Sequence, residues 1–124
     1  MRTIVGFSLL SFALALTPAK ANTANELLSM CEKFERGMVL NGSQVQFPSG
    51  QEPALCWGYL SATQDLTTLA DTSGRRLLGV CAPAETTLTQ HIRIFTNYAR
   101  THPAELHLPS QVVVLKALRA AFPC

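Results

Sequence analysis

The sequence predicts an all-α fold, a small four-helix domain, bundle-like or orthogonal, stapled by two disulfides. Three observations predict it. Four stretches repeat apolar residues at helical spacing, turn formers separate them, and all four cysteines fall beyond a segment that reads as an export leader.

The leader comes first. Arg2 gives a positive start, Ile4 to Leu16 form an uncharged apolar run, and Ala19-Lys20-Ala21 supplies small residues at the cleavage positions. The run is shorter than the roughly 20 residues that a bilayer span needs, which predicts cleavage after Ala21 over an anchor helix. Residues 1–21 are therefore expected to be a signal peptide and residues 22–124 a single helical domain. No later apolar stretch approaches spanning length, so no membrane association is expected after cleavage. Cleavage also alters the charge. The net charge of +2 comes from Arg2 and Lys20, both lost with the leader, and the remaining acidic and basic residues balance. No global field then attracts nucleic acid or anionic lipid, and a partner must be recognised by local surface. The hydrophobic fraction of 48% is that of a globular chain and excludes disorder.

The first helix is expected to start at Asn22 or Thr23, either of which accepts from exposed amides, with Glu26 complementing the helix dipole. Leu27, Leu28, Cys31 and Phe34 form its apolar face, leaving Glu32, Lys33, Glu35 and Arg36 in water, and Gly37 marks its end. Residues 41–53 hold turn formers every few positions and only a short strand candidate, Val45 to Phe47. Pro53 suits the first turn of a second helix, with Leu55, Cys56, Tyr59, Leu60, Thr63, Leu66 and Leu69 assigned to its inner face. Gly58 is costly in a helix interior and is assigned to a close approach of another helix or of the Trp57 ring. That helix should stop by Asp71 to Gly74, before the basic connector Arg75-Arg76.

Thr87-Leu88-Thr89-Gln90 fits a capping box and starts the third helix. Leu88, Ile92, Phe95 and Ala99 form its apolar stripe, and His102-Pro103 ends it, because a residue before proline disfavours helical geometry. Pro109 opens a fourth helix with Leu115, Leu118 and Phe122 facing inward. In an antiparallel bundle the start of the third helix lies near the end of the fourth. Cys81 is then expected to pair with Cys124, and Cys31 with Cys56 across the first two helices.

Chemistry-bearing motifs are sparse. Four cysteines in an oxidising compartment leave no odd thiol for a nucleophile, and without CxxC or CxxH they offer no zinc motif. There is no GxSxG, and Ser49 sits in a loop turn. His102 and His107 flank a proline and lack the spacing that sets two imidazoles on one helical face, so no metal site is expected. Glu32 and Glu35 read as a solvated face, Glu85 and Glu105 as helix-start residues, and the scattered glycines form no nucleotide loop. The chain is not expected to be an enzyme, and no cofactor is expected. Trp57 and Tyr59 beside Cys56 read as core. The candidate recognition surface is the polar side of the third helix, Arg93, Asn97, Tyr98 and Arg100, continuing into His102, a mixture suited to protein partners.

An ordered set of cysteine-centred pieces remains: Cys56-Trp57-Gly58-Tyr59-Leu60, Cys81-Ala82-Pro83, Thr87 to Gln90, His102-Pro103 with Glu105-Leu106-His107, Lys116-Ala117-Leu118, and Phe122-Pro123-Cys124. This set resembles the Rap/Tai immunity proteins associated with type VI secretion. The resemblance implies a small disulfide-bonded periplasmic protein, often a homodimer, that binds a peptidoglycan-cleaving amidase effector and blocks its substrate cleft. The other class to weigh is a general periplasmic helical binding or stress protein that holds clients through exposed apolar surface.

Overall fold

A computed structural model describes residues 22–124, and the expected leader, residues 1–21, lies outside them. The chain forms α1 (Ala24–Gly37), β1 (Val39–Asn41), β2 (Gln44–Gln46), α2 (Gln51–Thr67), α3 (Leu88–Thr101), a 3-10 turn (Pro103–Glu105) and α4 (Ser110–Ala121). The four helices are as expected. The fold is not strictly all-α, because β1 and β2 pair as an antiparallel hairpin with Val39 opposite Gln46 and Leu40 opposite Val45. Gly42, at φ 63°, supplies the positive dihedral that a two-residue hairpin turn needs at its first central position.

The hairpin folds back on α1. A Cβ at Gly37 would lie 2.5 Å from the Cβ of Pro48, so the chain after β2 crosses the end of α1 at a distance only glycine permits. The Phe47 ring then meets Trp57 with centroids 4.5 Å apart, and both contact Phe34.

α1 packs on α2, α3 and α4, and α3 packs on α4 and α2. Leu27, Cys31 and Phe34 from α1 meet Cys56 and Leu60 from α2, Ile92, Phe95 and Ala99 from α3, and Val113, Val114 and Leu118 from α4. Thr23 caps α1 and Thr87 caps α3, each in a full capping box, with Glu26 and Gln90 returning a bond to the cap amide. The start of α1 is tied to the start of α4. Ala24 N–H donates to Leu108 O at 2.9 Å, and the Ser110 hydroxyl donates to Asn22 O at 2.5 Å. Among the described residues no helix is long and apolar enough to cross a membrane.

Two inner faces differ from expectation. α2 buries Pro53, Cys56, Leu60, Thr63 and Thr67, while Leu55, Leu66 and Leu69 are exposed. The helix is apolar on two sides, and the bond from Cys56 to Cys31 selects which side faces the core. Gly58 is exposed, and a Cβ there would meet nothing within 4 Å, so no neighbour among the described residues requires it. α4 buries Ser110, Val113, Val114, Ala117 and Leu118, with Leu115 and Phe122 only partly covered. The capture of Ser110 by the carbonyls of Asn22 and Thr23 sets that rotation.

Candidate partner-binding surface

Both disulfides join the expected cysteines, Cys31 with Cys56 and Cys81 with Cys124. The second one builds the surface. It fastens the segment leading into α3 to the end of the chain beyond α4, and Cys81 N–H donates to Phe122 O at 2.9 Å beside it. α3 lies alongside these two joined segments and lines the same pocket with them. Because its capping box and its buried stripe fix its rotation, Arg93, Ile94 and Asn97 turn toward them.

The result is an open groove of about 510 Å³, lined by Pro83 and Glu85 from the first segment, Phe122 from the second, and Arg93, Ile94 and Asn97 from α3. Ile94 and Phe122 are half-buried and supply apolar surface, while Glu85, Arg93 and Asn97 are exposed and supply polar groups. Behind it the buried His91 ring lies 5.8 Å from Phe122, with Nδ1 at 3.1 Å from the Thr87 carbonyl and Nε2 without a hydrogen-bond partner among the described residues. An apolar floor with a few polar groups at its edge suits an inserted side chain of a protein partner.

The five residues singled out, four on α3 and His102 at its C-cap, separate into three places. Arg93 and Asn97 enter the groove. Arg100 turns to α1, where Nε donates to Glu32 at 3.1 Å and an Nη to Glu35 at 3.2 Å. Its pKa is raised, chiefly by the hydrogen bond to Glu32, so its charge is committed to holding two helices together. Glu32 and Glu35, read from sequence as a solvated face, are the other half of that clasp.

Tyr98 and His102 form a third place. Their rings stack 3.8 Å apart and 7° from parallel, and His102 Nδ1 lies 2.8 Å from Tyr98 O. Next to them Lys116 donates to Glu105 at 2.6 Å, which lowers the pKa of Glu105 and raises that of Lys116. Glu105, assigned by sequence to a helix start, instead ties the 3-10 turn to α4. Among the described residues no group of three His, Cys, Asp or Glu is placed to hold a metal ion.

Pro83, Ile94 and Phe122 were absent from the sequence candidates. The signal for two of them lay in the cysteines, since Pro83 follows Cys81 by two residues and Phe122 precedes Cys124 by two, so the expected pairing already places them side by side.

A helical scaffold whose disulfide sets the walls of a shaped groove defines a class, the small binding protein that acts through a pre-organised surface. The chain belongs to the Rap1a immunity proteins, whose family model matches residues 23–124. Neither the curated proteins nor the solved structures yield a match. Membership makes the chain an immunity protein directed at a secreted effector, in a family that is generally non-enzymatic.

Proposed function

We propose that this chain is a periplasmic immunity protein that binds a peptidoglycan-cleaving amidase delivered by type VI secretion and blocks its substrate cleft. The observation that carries the reading is the family match across residues 23–124. The groove beside α3 supports it by offering a place for the contact. Residues 1–21 act as the leader that takes the chain to the periplasm, where the effector attacks and where both disulfides form.

Arg93 and Asn97 make the polar contacts at the groove edge, and an apolar side chain of the amidase fills the space over Ile94 and Phe122. Tyr98 and His102 extend the contact along α3. Arg100 serves by fixing α3 against α1. A surface held by two disulfides loses little freedom on binding, which favours a tight complex.

The test is peptidoglycan hydrolysis by the amidase encoded in the neighbouring reading frame, titrated with the purified protein. Inhibition complete near equimolar ratio is expected, together with protection of cells that export the protein. Full hydrolysis in excess protein, with no protection, contradicts the proposal.

A further inference from the structure

The two disulfides differ in where they lie. Cys31 and Cys56 are both 0% exposed, within the core, whereas Cys81 and Cys124 are both exposed. A core bond is shielded from an attacking thiolate and an exposed one is open to it, so exchange chemistry selects the second.

The stretch fastened by that second bond has few other supports. Residues 78–87 belong to neither helix nor strand. Pro83 and Thr86 border the groove on one side and a second cavity, of about 330 Å³, on the other, so this stretch is a thin wall between two open spaces. His91 borders the second cavity with its buried Nε2 unbonded among the described residues, so the base of the wall is incompletely satisfied. Upstream, Val80 is buried and Leu78 O accepts from Arg119 Nε at 2.7 Å. Downstream, Gln64 Nε2 donates to Thr86 O at 3.2 Å. Between these ties the wall meets the Phe122 side through the disulfide and the bond from Cys81 N–H to Phe122 O.

We propose that Cys81–Cys124 is a reducible latch, opened by thiol–disulfide exchange with a dithiol protein, and that opening it separates the Pro83 and Phe122 walls and turns off partner binding. The inference rests on reading the groove as the partner surface. A thiolate of the reductant attacks one sulfur of the pair, the Cys81–Cys124 bond breaks, a mixed disulfide forms, and the displaced sulfur takes up a proton. The second thiol of the reductant then gives up its proton and attacks the mixed disulfide, freeing the other protein sulfur as a thiol. Two electrons and two protons pass to the protein, and the reductant ends as its own disulfide. Cys31–Cys56 still joins α1 to α2 and both capping boxes are untouched, so the opening is confined to the wall. Linkage makes the device reciprocal, since a partner that needs the closed walls disfavours reduction by the same factor that reduction weakens its binding.

Mild dithiothreitol treatment of the oxidised protein tests this, with new thiols alkylated under native conditions and mapped by mass spectrometry. Cys81 and Cys124 are expected to be alkylated about tenfold or more faster than Cys31 and Cys56. Circular dichroism stays unchanged, while hydrogen exchange quickens at residues 81–86. The reduced protein binds the amidase encoded in the neighbouring reading frame about tenfold or more weakly, and reoxidation with oxidised glutathione restores the affinity. The double variant Cys81→Ser with Cys124→Ser binds as the reduced protein does, with or without dithiothreitol, which assigns the effect to this pair. Equal alkylation of both pairs, unchanged exchange at residues 81–86, or full amidase affinity after reduction overturns the latch. Oxidised protein that binds no amidase overturns the function proposed above instead, and alkylation and exchange then decide the latch by themselves.

Discussion

Arg100 sits where α3 meets α1, and its guanidinium divides between Glu32 and Glu35. The side chain is about half exposed, so water screens the clasp and its contribution to stability is modest. Arg100→Gln is expected to lower the unfolding free energy by about 0.5–1 kcal/mol in urea titrations and to leave amidase inhibition close to normal. The pair of Glu105 and Lys116 gives a pH dependence with a definite sign. The Lys116 hydrogen bond holds Glu105 below its ordinary value of 4.5, so the contribution of this carboxylate is present above that value and is lost as pH falls through the folded value. Lys116 is held above its ordinary 10.5, so its contribution is present below that value and is lost as pH rises through the folded one. Glu105→Gln should therefore flatten the acid limb of the stability curve below about pH 4.5 relative to the unaltered chain, read by urea unfolding across pH. An acid limb that is unchanged assigns it to other carboxylates.

At the scale of elements, caps and glycines do what side-chain packing leaves undone. Thr87→Ala removes the acceptor for Gln90 N–H and is expected to cost about 1 kcal/mol, with loss of order at the groove edge because α3 starts there. Gly37→Ala forces a Cβ into Pro48. The hairpin must shift, and a loss of about 1–3 kcal/mol is expected together with a change in Trp57 fluorescence, since Phe47 moves with the hairpin. Helix starts were legible because capping is local chemistry. Thr87 with Gln90 reads as a box from sequence, and Thr23 with Glu26 has the same spacing, Glu26 adding its bond to the cap amide to the dipole contact expected of it. The hairpin was less legible, because strands of three mostly exposed residues carry no alternation, and only Val45 and Gln46 fell within the strand expected. The inner face of α2 was not legible from periodicity alone. Leu55, Leu66 and Leu69 compete with Cys56, Leu60 and Thr63 on equal terms until the cross-link from Cys56 decides.

For the whole molecule, the two disulfides close loops separated by 25 and 43 residues. Chain-entropy estimates make them worth about 3.5 and 4 kcal/mol, a large share of the stability of a domain this size. Replacing Cys81 and Cys124 together by Ser should lower the unfolding free energy by about 4 kcal/mol, read in urea titrations, and let the groove walls part. Partner affinity then falls even at temperatures where the helices persist. The pairing was legible from the antiparallel order of the helices, whereas the groove was not, because it arises only when three segments distant in sequence meet. Arg93 and Asn97, two of the residues the sequence singles out, line that groove, and nothing in the sequence points to the engagement of Arg100 by α1.

The central claim is that this surface binds a cell-wall amidase. Calorimetric titration of the purified protein with the amidase encoded beside it tests that most directly. The account predicts saturable binding of one amidase per chain, weakened about tenfold or more by Arg93→Glu, with the helix content of the variant unchanged. No heat of binding at micromolar concentrations of both proteins, confirmed by their separate elution, contradicts it.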